Sequence, residues 1–362
     1  MTGRHDVDRE YMRRALELAD AGWGRVHPNP LVGAVVVRNG EVVGTGAHRE
    51  YGGPHAEVEA LREAGPRARG STLYVTLEPC AHHGKTPPCT DAILEHGVAR
   101  VVYAVPDPHP TAGGGGARLR DAGVEVEEGV EAGRARAGNA LFLRRQETGR
   151  AFVAVKFGMS VDARIAARPE ERTRVTGPEA EAEVHRLRAG YDAILVGGRT
   201  ARIDDPSLTV RHAPAPRVPP VRVVADPGAR LPLDSMLART AREVPVVVLA
   251  GDAAPQDRVA ALQERGVEVE RVRGGDAGLD LVAALDALQA RGIGTVLCEG
   301  GGRLAASLLA CDRVDRLYIF QAPTVFGAEG VPAFPGGARF RGRRVAMKEV
   351  GEDSLVIIDR SD

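Results

Sequence analysis

At roughly 150 residues per domain, a chain of 362 residues predicts two domains. Its 48 Lys and Arg against 49 Asp and Glu leave a formal net charge of −1, and aromatics make up only 4%. That balance offers neither the long-range attraction nor the stacking platforms of a nucleic-acid binder.

A hydrophobic content of 43% with 27% charged residues is that of a folded globular protein. The longest apolar stretches, such as Val244–Ala250, fall far short of the ~18 residues of a membrane span. Met1–Glu10 is charged and lacks an apolar signal region. Four cysteines cannot build a disulfide framework in a chain of this length, so a reducing cytoplasm is the expected compartment.

In chain order, Asp8–Ala21 carries one apolar face (Tyr11, Met12, Ala15, Leu16, Leu18, Ala19) and predicts a helix. The runs Val32–Val37 and Glu41–Gly46 around Asn39-Gly40 predict a hairpin. A helix over His55–Ala64 stops at Gly65-Pro66. Strands follow at Ser71–Leu77, Arg100–Val105 and Val124–Glu128, with helices at Pro88–Glu95 and Arg118–Ala122. This alternation predicts a layered α/β domain ending near Arg145, with a polar boundary at Gln146–Arg150.

A second α/β series opens with the strand Phe152–Phe157. Further strands are expected at Ala193–Val196, Val221–Val224, Val244–Leu249, Thr295–Cys298 and Leu317–Phe320, and helices at Glu179–Ala189, Gln256–Arg265, Leu279–Ala290 and Arg303–Ala310. Ala213–Pro220 reads as a Pro-rich surface loop, and Val345–Val350 with Ser354–Ile358 as a terminal hairpin.

The sharpest constellation is His55-Ala56-Glu57 followed by Pro79-Cys80 and Cys89. A catalytic zinc takes three protein ligands and keeps one position open, and one histidine with two cysteines supplies that set. Glu57, two residues after His55, is placed to carry protons rather than bind metal. The pattern is that of zinc deaminases, in which water activated by the metal attacks an amidine-like carbon. Eight residues, Ala81 to Pro88, separate the cysteines where the short pattern has two. Asn29, ahead of a strand, is a candidate for a heterocycle edge, and Lys85 in the insert His82-His83-Gly84-Lys85-Thr86 for a phosphate; a plain turn and a polar surface loop are the alternatives.

These stretches together, Pro28-Asn29-Pro30-Leu31-Val32-Gly33, Gly53-Pro54-His55-Ala56-Glu57 and Thr76-Leu77-Glu78-Pro79-Cys80 through Cys89, resemble the bifunctional deaminase/reductase family of riboflavin biosynthesis, in which the long insert between cysteines is a distinguishing mark. The resemblance implies a cytidine-deaminase-like three-layer domain over residues 1–147 and a dihydrofolate-reductase-like α/β domain over 150–362. It further implies one Zn2+ per deaminase site, NADPH in the reductase, a phosphorylated pyrimidine as substrate and a homo-oligomer. The family removes the pyrimidine 2-amino group and then reduces the ribosyl side chain to ribityl, keeping the 5′-phosphate.

In the second half, Glu299-Gly300-Gly301-Gly302 lies between a strand and a helix, where bare N–H groups and the helix dipole suit phosphate. It is not the Gly-x-Gly-x-x-Gly pattern, and a plain strand–helix turn is the alternative. Gly197-Gly198-Arg199-Thr200 with Asp204-Asp205-Pro206-Ser207-Leu208-Thr209-Val210-Arg211 forms a second cluster suited to a sugar phosphate, or else a solvated loop.

By similarity, Gly158, Thr200, Asp204 and the run Gly301, Gly302, Arg303, Leu304, Ala305, Ala306 and Ser307 contact NADPH, while Arg188, Leu208, Arg211 and Glu299 contact substrate. Lys156 is expected on a strand facing the site, and Asp204 and Lys156 are the nearest candidates for the acid. The chain departs from the family at Arg172-Thr173-Arg174-Val175, where Ser-x-Trp-Ile is usual, at Pro227 in place of a serine, and at Ala163 in place of a glycine. Arg172 then takes the serine's place at substrate and Arg174 the tryptophan's at the cofactor, by ring stacking or phosphate pairing. Those departures motivate an alternative, a deaminase whose reductase half is weak or serves another substrate.

Overall fold

The computed structural model describes residues 3–84, 87–109, 111–275, 278–337 and 339–361. The chain divides into two compact units, Met1–Gly149 and Arg150–Asp362.

In the first unit the strands Gly33–Arg38 and Glu41–Ala47 form the expected hairpin, with Asn39 (φ 52°) and Gly40 (φ 80°) both in the left-handed region at its turn. Thr72–Val75 pairs antiparallel with Gly33–Arg38, and Arg100–Tyr103 and Glu125–Glu128 extend the sheet in parallel. The strand order is Glu41–Ala47, Gly33–Arg38, Thr72–Val75, Arg100–Tyr103, Glu125–Glu128. Helices Arg4–Ala19, Ala56–Ala64 and Cys89–Glu95 contribute Met12, Ala15, Ala60, Leu61 and Ile93 to a core with Val35, Leu73 and Val101 of the sheet.

A buried ion pair ties the first helix to the sheet: Asp8 accepts from Arg100 at 2.7 and 2.8 Å and from the Tyr74 hydroxyl at 2.7 Å. The helix Ala56–Ala64 lies so close to the hairpin that a Cβ on Gly46 would stand 2.1 Å from the Ala56 carbonyl oxygen.

Two further helices, Ala132–Gly138 and Ala140–Thr148, close this unit. Ala132–Gly138 has no large apolar side chain, and Leu141, Phe142 and Leu143 are consecutive rather than spaced along one face, so neither segment reads as a helix. Gln146–Thr148 is accordingly the last turn of a helix that ends at Gly149 (φ 67°).

The second unit is built on a nine-stranded sheet. From one edge the strands are Glu268–Val272, Val246–Gly251, Val221–Ala225, Ala193–Gly197, Thr295–Cys298, Phe152–Ser160, Arg316–Ala322, Asp353–Arg360 and Gly342–Val350. All neighbours are parallel up to Arg316–Ala322, and the terminal hairpin adds antiparallel. Thr295–Cys298 enters between two strands made far earlier, so the chain order reverses there, and ligands bind beyond the carboxyl ends of strands at such a point.

Val153, Val155, Leu195, Val223, Val247 and Val296 are core residues of this sheet. Several elements here escaped the sequence reading, the short strand Arg164–Ala166 and the helix Met236–Arg239 among them. Glu268–Val272 is an edge strand whose alternating Glu-Val-Glu-Arg-Val reads as polar, and Gly198–Asp204 is a seven-residue helix that opens on a glycine behind a glycine N-cap, against their propensity. The described residues between Asp204 and Val221 hold no helix or strand, consistent with the Pro-rich loop.

Candidate active sites

Folding of the first unit brings together the residues picked out by spacing. His55 is the N-cap of helix Ala56–Ala64, Cys80 lies beyond the strand Thr72–Val75, and Cys89 opens helix Cys89–Glu95. His55 Nδ1, Cys80 Sγ and Cys89 Sγ all lie within 4.8 Å of one another, with His55 Nδ1 3.1 Å from Cys89 Sγ and 3.6 Å from Cys80 Sγ.

The three groups share protons unequally. Hydrogen bonds from Cys89 and His55 pull the Cys80 thiol down to about 4, whereas its bond to Cys80 and burial push the Cys89 thiol up. His55 is raised by its bond to Cys80. One imidazole and two sulfurs, one already acidic, make a closed side of a tetrahedral zinc site with a fourth position left over, so the donor set fits zinc. Glu57, 3% exposed, has its carboxyl pushed up by burial.

A pocket of 280 Å³ opens on this cluster. His55, Glu57 and Cys80 line it together with Asn29, as expected from the sequence, and with His48, Glu78, His82, Asp107, His109 and Phe142. His48 was missed by the sequence reading. Its Nδ1 donates to the Pro54 carbonyl oxygen at 2.9 Å, which leaves Nε2 to accept from Asn29 Nδ2 at 3.2 Å. Burial holds the ring below the ordinary histidine range, and its contact with Asn29 orients the amide. No spacing rule marks a histidine that serves an asparagine. Glu78 accepts from the backbone N–H groups of Gly116 (2.9 Å) and Asp107 (3.1 Å) and so braces the opposite wall. Lys85 lies outside the described residues.

In the second unit, the side chain of Glu299, 5% exposed, stands just beyond the strand Thr295–Cys298. Arg188 grips it with both Nε (2.6 Å) and Nη2 (2.9 Å), and Lys156 Nζ approaches to 3.7 Å. Burial alone would raise Glu299; the Arg188 and Lys156 charges overcome it and hold the carboxyl at about 2. Burial raises the Asp204 carboxyl against the charges of Arg172 and Lys156, so Asp204, Arg172, Lys156, Glu299 and Arg188 form one electrostatic cluster.

Arg188 Nη1 also donates to the Thr209 carbonyl oxygen (2.9 Å), and Arg211 to Thr209 Oγ1 (3.0 Å) and to Ser207, which fixes the loop carrying buried Leu208 (φ 51°). Arg222, fully buried and without a carboxylate partner among the described residues, holds the same loop through the Ser207 carbonyl oxygen at 3.3 Å.

Gly301, at φ 50°, caps helix Gly302–Ala310, and a Cβ there would stand 3.1 Å from Thr200 Oγ1. The turn thus places open backbone N–H groups beside Thr200 at the crevice, a cradle that fits a dinucleotide's phosphates. Arg303 is exposed, Leu304, Ala306 and Ser307 are half-buried, and Ala305 faces the core. Gly158 backs onto Thr176, whose methyl would lie 3.4 Å from a Cβ placed on it. Arg174 is exposed and pairs with Glu181 at 3.0 Å.

Two family models cover the chain: the cytidine and deoxycytidylate deaminase zinc-binding region matches residues 5–105, and the RibD C-terminal domain matches 151–356. The riboflavin biosynthesis protein RibD of Aquifex aeolicus (strain VF5) is 39% identical over 361 residues, covering 98% of this chain and 99% of its own. This chain belongs to the RibD family. RibD of Escherichia coli (strain K12) is likewise 39% identical, covering 91% of this chain and 92% of its own.

Among solved structures, RibD of Acinetobacter baumannii (form 1) superposes with a TM-score of 0.81 at 33% identity, covering 99% of this chain and 100% of that one. A Thermotoga maritima diaminohydroxyphosphoribosylaminopyrimidine deaminase/5-amino-6-(5-phosphoribosylamino)uracil reductase gives 0.81 at 34%, again covering 99% and 100%. The fold is therefore the expected pairing of a cytidine-deaminase-like and a RibD-type reductase domain, and the chain is a two-domain riboflavin-biosynthesis enzyme with a zinc-binding deaminase region and a reductase region. Among the described residues no helix is long and apolar enough to cross a membrane.

Proposed function

We propose that residues 1–147 deaminate 2,5-diamino-6-(5-phosphoribosylamino)pyrimidin-4(3H)-one and that residues 150–362 reduce the ribosyl side chain of the product with NADPH, giving 5-amino-6-(5-phosphoribitylamino)uracil. The observation that carries the first half is the convergence of His55, Cys80 and Cys89 beside buried Glu57. Those three side chains hold zinc, and zinc, when bound, supplies the Lewis acidity that makes water a nucleophile near neutral pH.

Glu57 takes a proton from the attacking water and returns it to the amino group that leaves as ammonia; burial, which raises its carboxyl, suits it to hold a proton in between. Asn29, oriented by His48, holds the heterocycle edge, and Lys85 contributes to phosphate binding.

In the reductase half NADPH supplies the hydride. Gly301 and Gly302 present backbone N–H groups to its phosphates, with Thr200 beside them and Asp204 at the same crevice. Glu299, kept anionic by Arg188 and Lys156, accepts hydrogen bonds from the ribosyl hydroxyls, and Arg211 and Leu208 bound the substrate on the tethered loop. Lys156, drawn to Glu299, and Asp204, whose carboxyl burial raises, are the two groups placed to donate the proton that follows hydride transfer. Arg172 adds positive charge close to Asp204. A phosphorylated metabolite and a site of reduced thiols both suit a reducing cytoplasm, and light scattering of the purified protein tests the homo-oligomer that the resemblance implies.

The deciding experiment is mass spectrometry of one reaction of zinc-loaded protein with the diaminopyrimidine and NADPH. A product that exchanges an amino group for oxygen and gains two hydrogens supports both steps. Arrest after the exchange retains only the deaminase. An unchanged substrate overturns the reading.

A further inference from the structure

Asn139 stands between the helices Ala132–Gly138 and Ala140–Thr148 and bonds to both through its main chain. Its N–H donates to the Ala135 carbonyl oxygen at 3.0 Å, and its carbonyl oxygen accepts from Phe142 (3.0 Å) and Leu143 (2.9 Å). An asparagine that starts a helix ordinarily turns its side-chain oxygen onto that helix's own N–H groups. Asn139 makes no such bond. Asn139, 4% exposed, reaches across to Leu31 instead: Oδ1 accepts from the Leu31 N–H and Nδ2 donates to the Leu31 carbonyl oxygen, both at 2.7 Å.

That pair of bonds does the work of a strand partner. The strand that follows begins only at Gly33, so the Leu31 main chain lies ahead of the sheet's ladder, and a carboxamide offers a donor and an acceptor in one planar fork to meet both of its groups. Leu31 is two residues after Asn29, and Asn29, Pro30 and Val32 all line the pocket beside the zinc ligands. At the other end of the turn the Asn29 N–H donates to the Val26 carbonyl oxygen at 2.9 Å. The turn is therefore pinned on both sides of the amide that meets His48. Phe142, one turn along the helix from Asn139, lines the same pocket. His55, Cys80 and Cys89 all fall inside the span 5–105 that matches the zinc-binding region, whereas Asn139 and Phe142 lie beyond it.

We propose that Asn139 is a positioning residue for deamination: through Leu31 it fixes the turn that presents the Asn29 amide to the edge of the pyrimidine. This rests on the reading of the first unit as a deaminase of a phosphoribosylaminopyrimidine. An amide aimed at the ring edge binds ground state and transition state alike, so misaiming it raises KM and spares kcat. A disturbed metal site or a displaced Glu57 acts on the transition state and lowers kcat instead.

Ammonia release by zinc-loaded full-length protein, followed over a range of diaminopyrimidine concentrations, tests this. Asn139→Ala should raise KM 10- to 100-fold, with kcat within threefold of wild type and zinc at one equivalent. Asn139→Asp keeps the shape but loses the donor to the Leu31 carbonyl oxygen; it should raise KM at least threefold, and it carries the test if thermal unfolding shows the alanine variant to be unfolded. On an Asn29→Ala background, either substitution should change KM by less than threefold, because Asn139 acts through Asn29. Folded Asn139 variants with the wild-type KM overturn the proposal, as does a loss confined to kcat or accompanied by loss of zinc. A rise in KM that persists in full without the Asn29 amide overturns it too. Wild-type protein that releases no ammonia from this substrate overturns the deaminase reading itself, and the proposal with it.

Discussion

Gly46→Ala isolates the contact that sets the position of the deaminase helix. A Cβ at this position would lie 2.1 Å from the Ala56 carbonyl oxygen and 2.7 Å from the Ala60 nitrogen, both backbone atoms that cannot rotate aside. Ordinary contact begins near 3.4 Å, so the strand and the helix must part by about 1.3 Å. Ala56 lies between His55 and Glu57, and the displacement therefore falls on a metal ligand and on the proton carrier together. A misplacement of about 1 Å reduces rates by about 100-fold, equivalent to about 2.7 kcal/mol in the barrier.

Ammonia release should fall by that factor, with zinc content measured in parallel by atomic emission, while reduction of the deaminated intermediate stays within twofold of wild type. Gly133→Ala is the control: nothing lies within 4 Å of its Cβ position on the helix Ala132–Gly138, so stability should hold or rise by up to about 1 kcal/mol. If Gly46→Ala deaminates at the wild-type rate, the hairpin does not position Glu57 and the reasoning is refuted.

Glu57→Gln should keep one equivalent of zinc yet lose about 10²–10⁴-fold in deamination, the usual worth of a positioned acid–base group; full activity removes its proton role. Glu299→Ala strands the buried charges of Arg188 and Lys156, so calorimetry should show the second unit destabilised by about 3–5 kcal/mol and reduction abolished with deamination intact.

His185 gives a pH dependence. It is 2% exposed, its Nδ1 accepts from the Arg211 backbone N–H at 3.0 Å, and burial with the Arg188 and Arg211 charges holds it at about 4. The unfolded chain, at about 6.5, binds more protons between these values, so stability is complete above 6.5 and is lost as pH falls toward 4. Urea unfolding of the second unit should show about 2 kcal/mol less stability at pH 5 than at pH 7.5, and His185→Gln should remove that difference.

The zinc site was legible because its chemistry is local: His55, Glu57, Cys80 and Cys89 fall within 35 residues, and His55, Glu57 and Cys89 sit at helix starts where spacing fixes direction. The hairpin at Asn39-Gly40 was legible for a similar reason, a turn type that few residue pairs can adopt. His48 was not, since its part is to hold Asn29, a contact that only the folded chain creates. In the second half the pairing of Arg188 with Glu299 joins residues more than a hundred positions apart, and Asp226 meets Arg202 only because two strand ends lie side by side. The strand Glu268–Val272 was hidden for the opposite reason, because an edge strand with one wet face carries little apolar signal.

The placement of Thr295–Cys298 governs the order in which the second unit can be completed during synthesis. Its two neighbours, Phe152–Ser160 and Ala193–Gly197, leave the ribosome long before it does and have no partner across the gap it fills. At about 5–20 residues per second, the wait from Phe152 to Thr295 lasts roughly 7–30 s. Once Ala193–Gly197 is made, two apolar strand edges stand open for the rest of that interval, and non-local parallel pairing is slow to close once the last strand arrives. A nascent chain interrupted before residue 295 can carry a finished deaminase and an unfinished sheet whose open edges invite association with other chains.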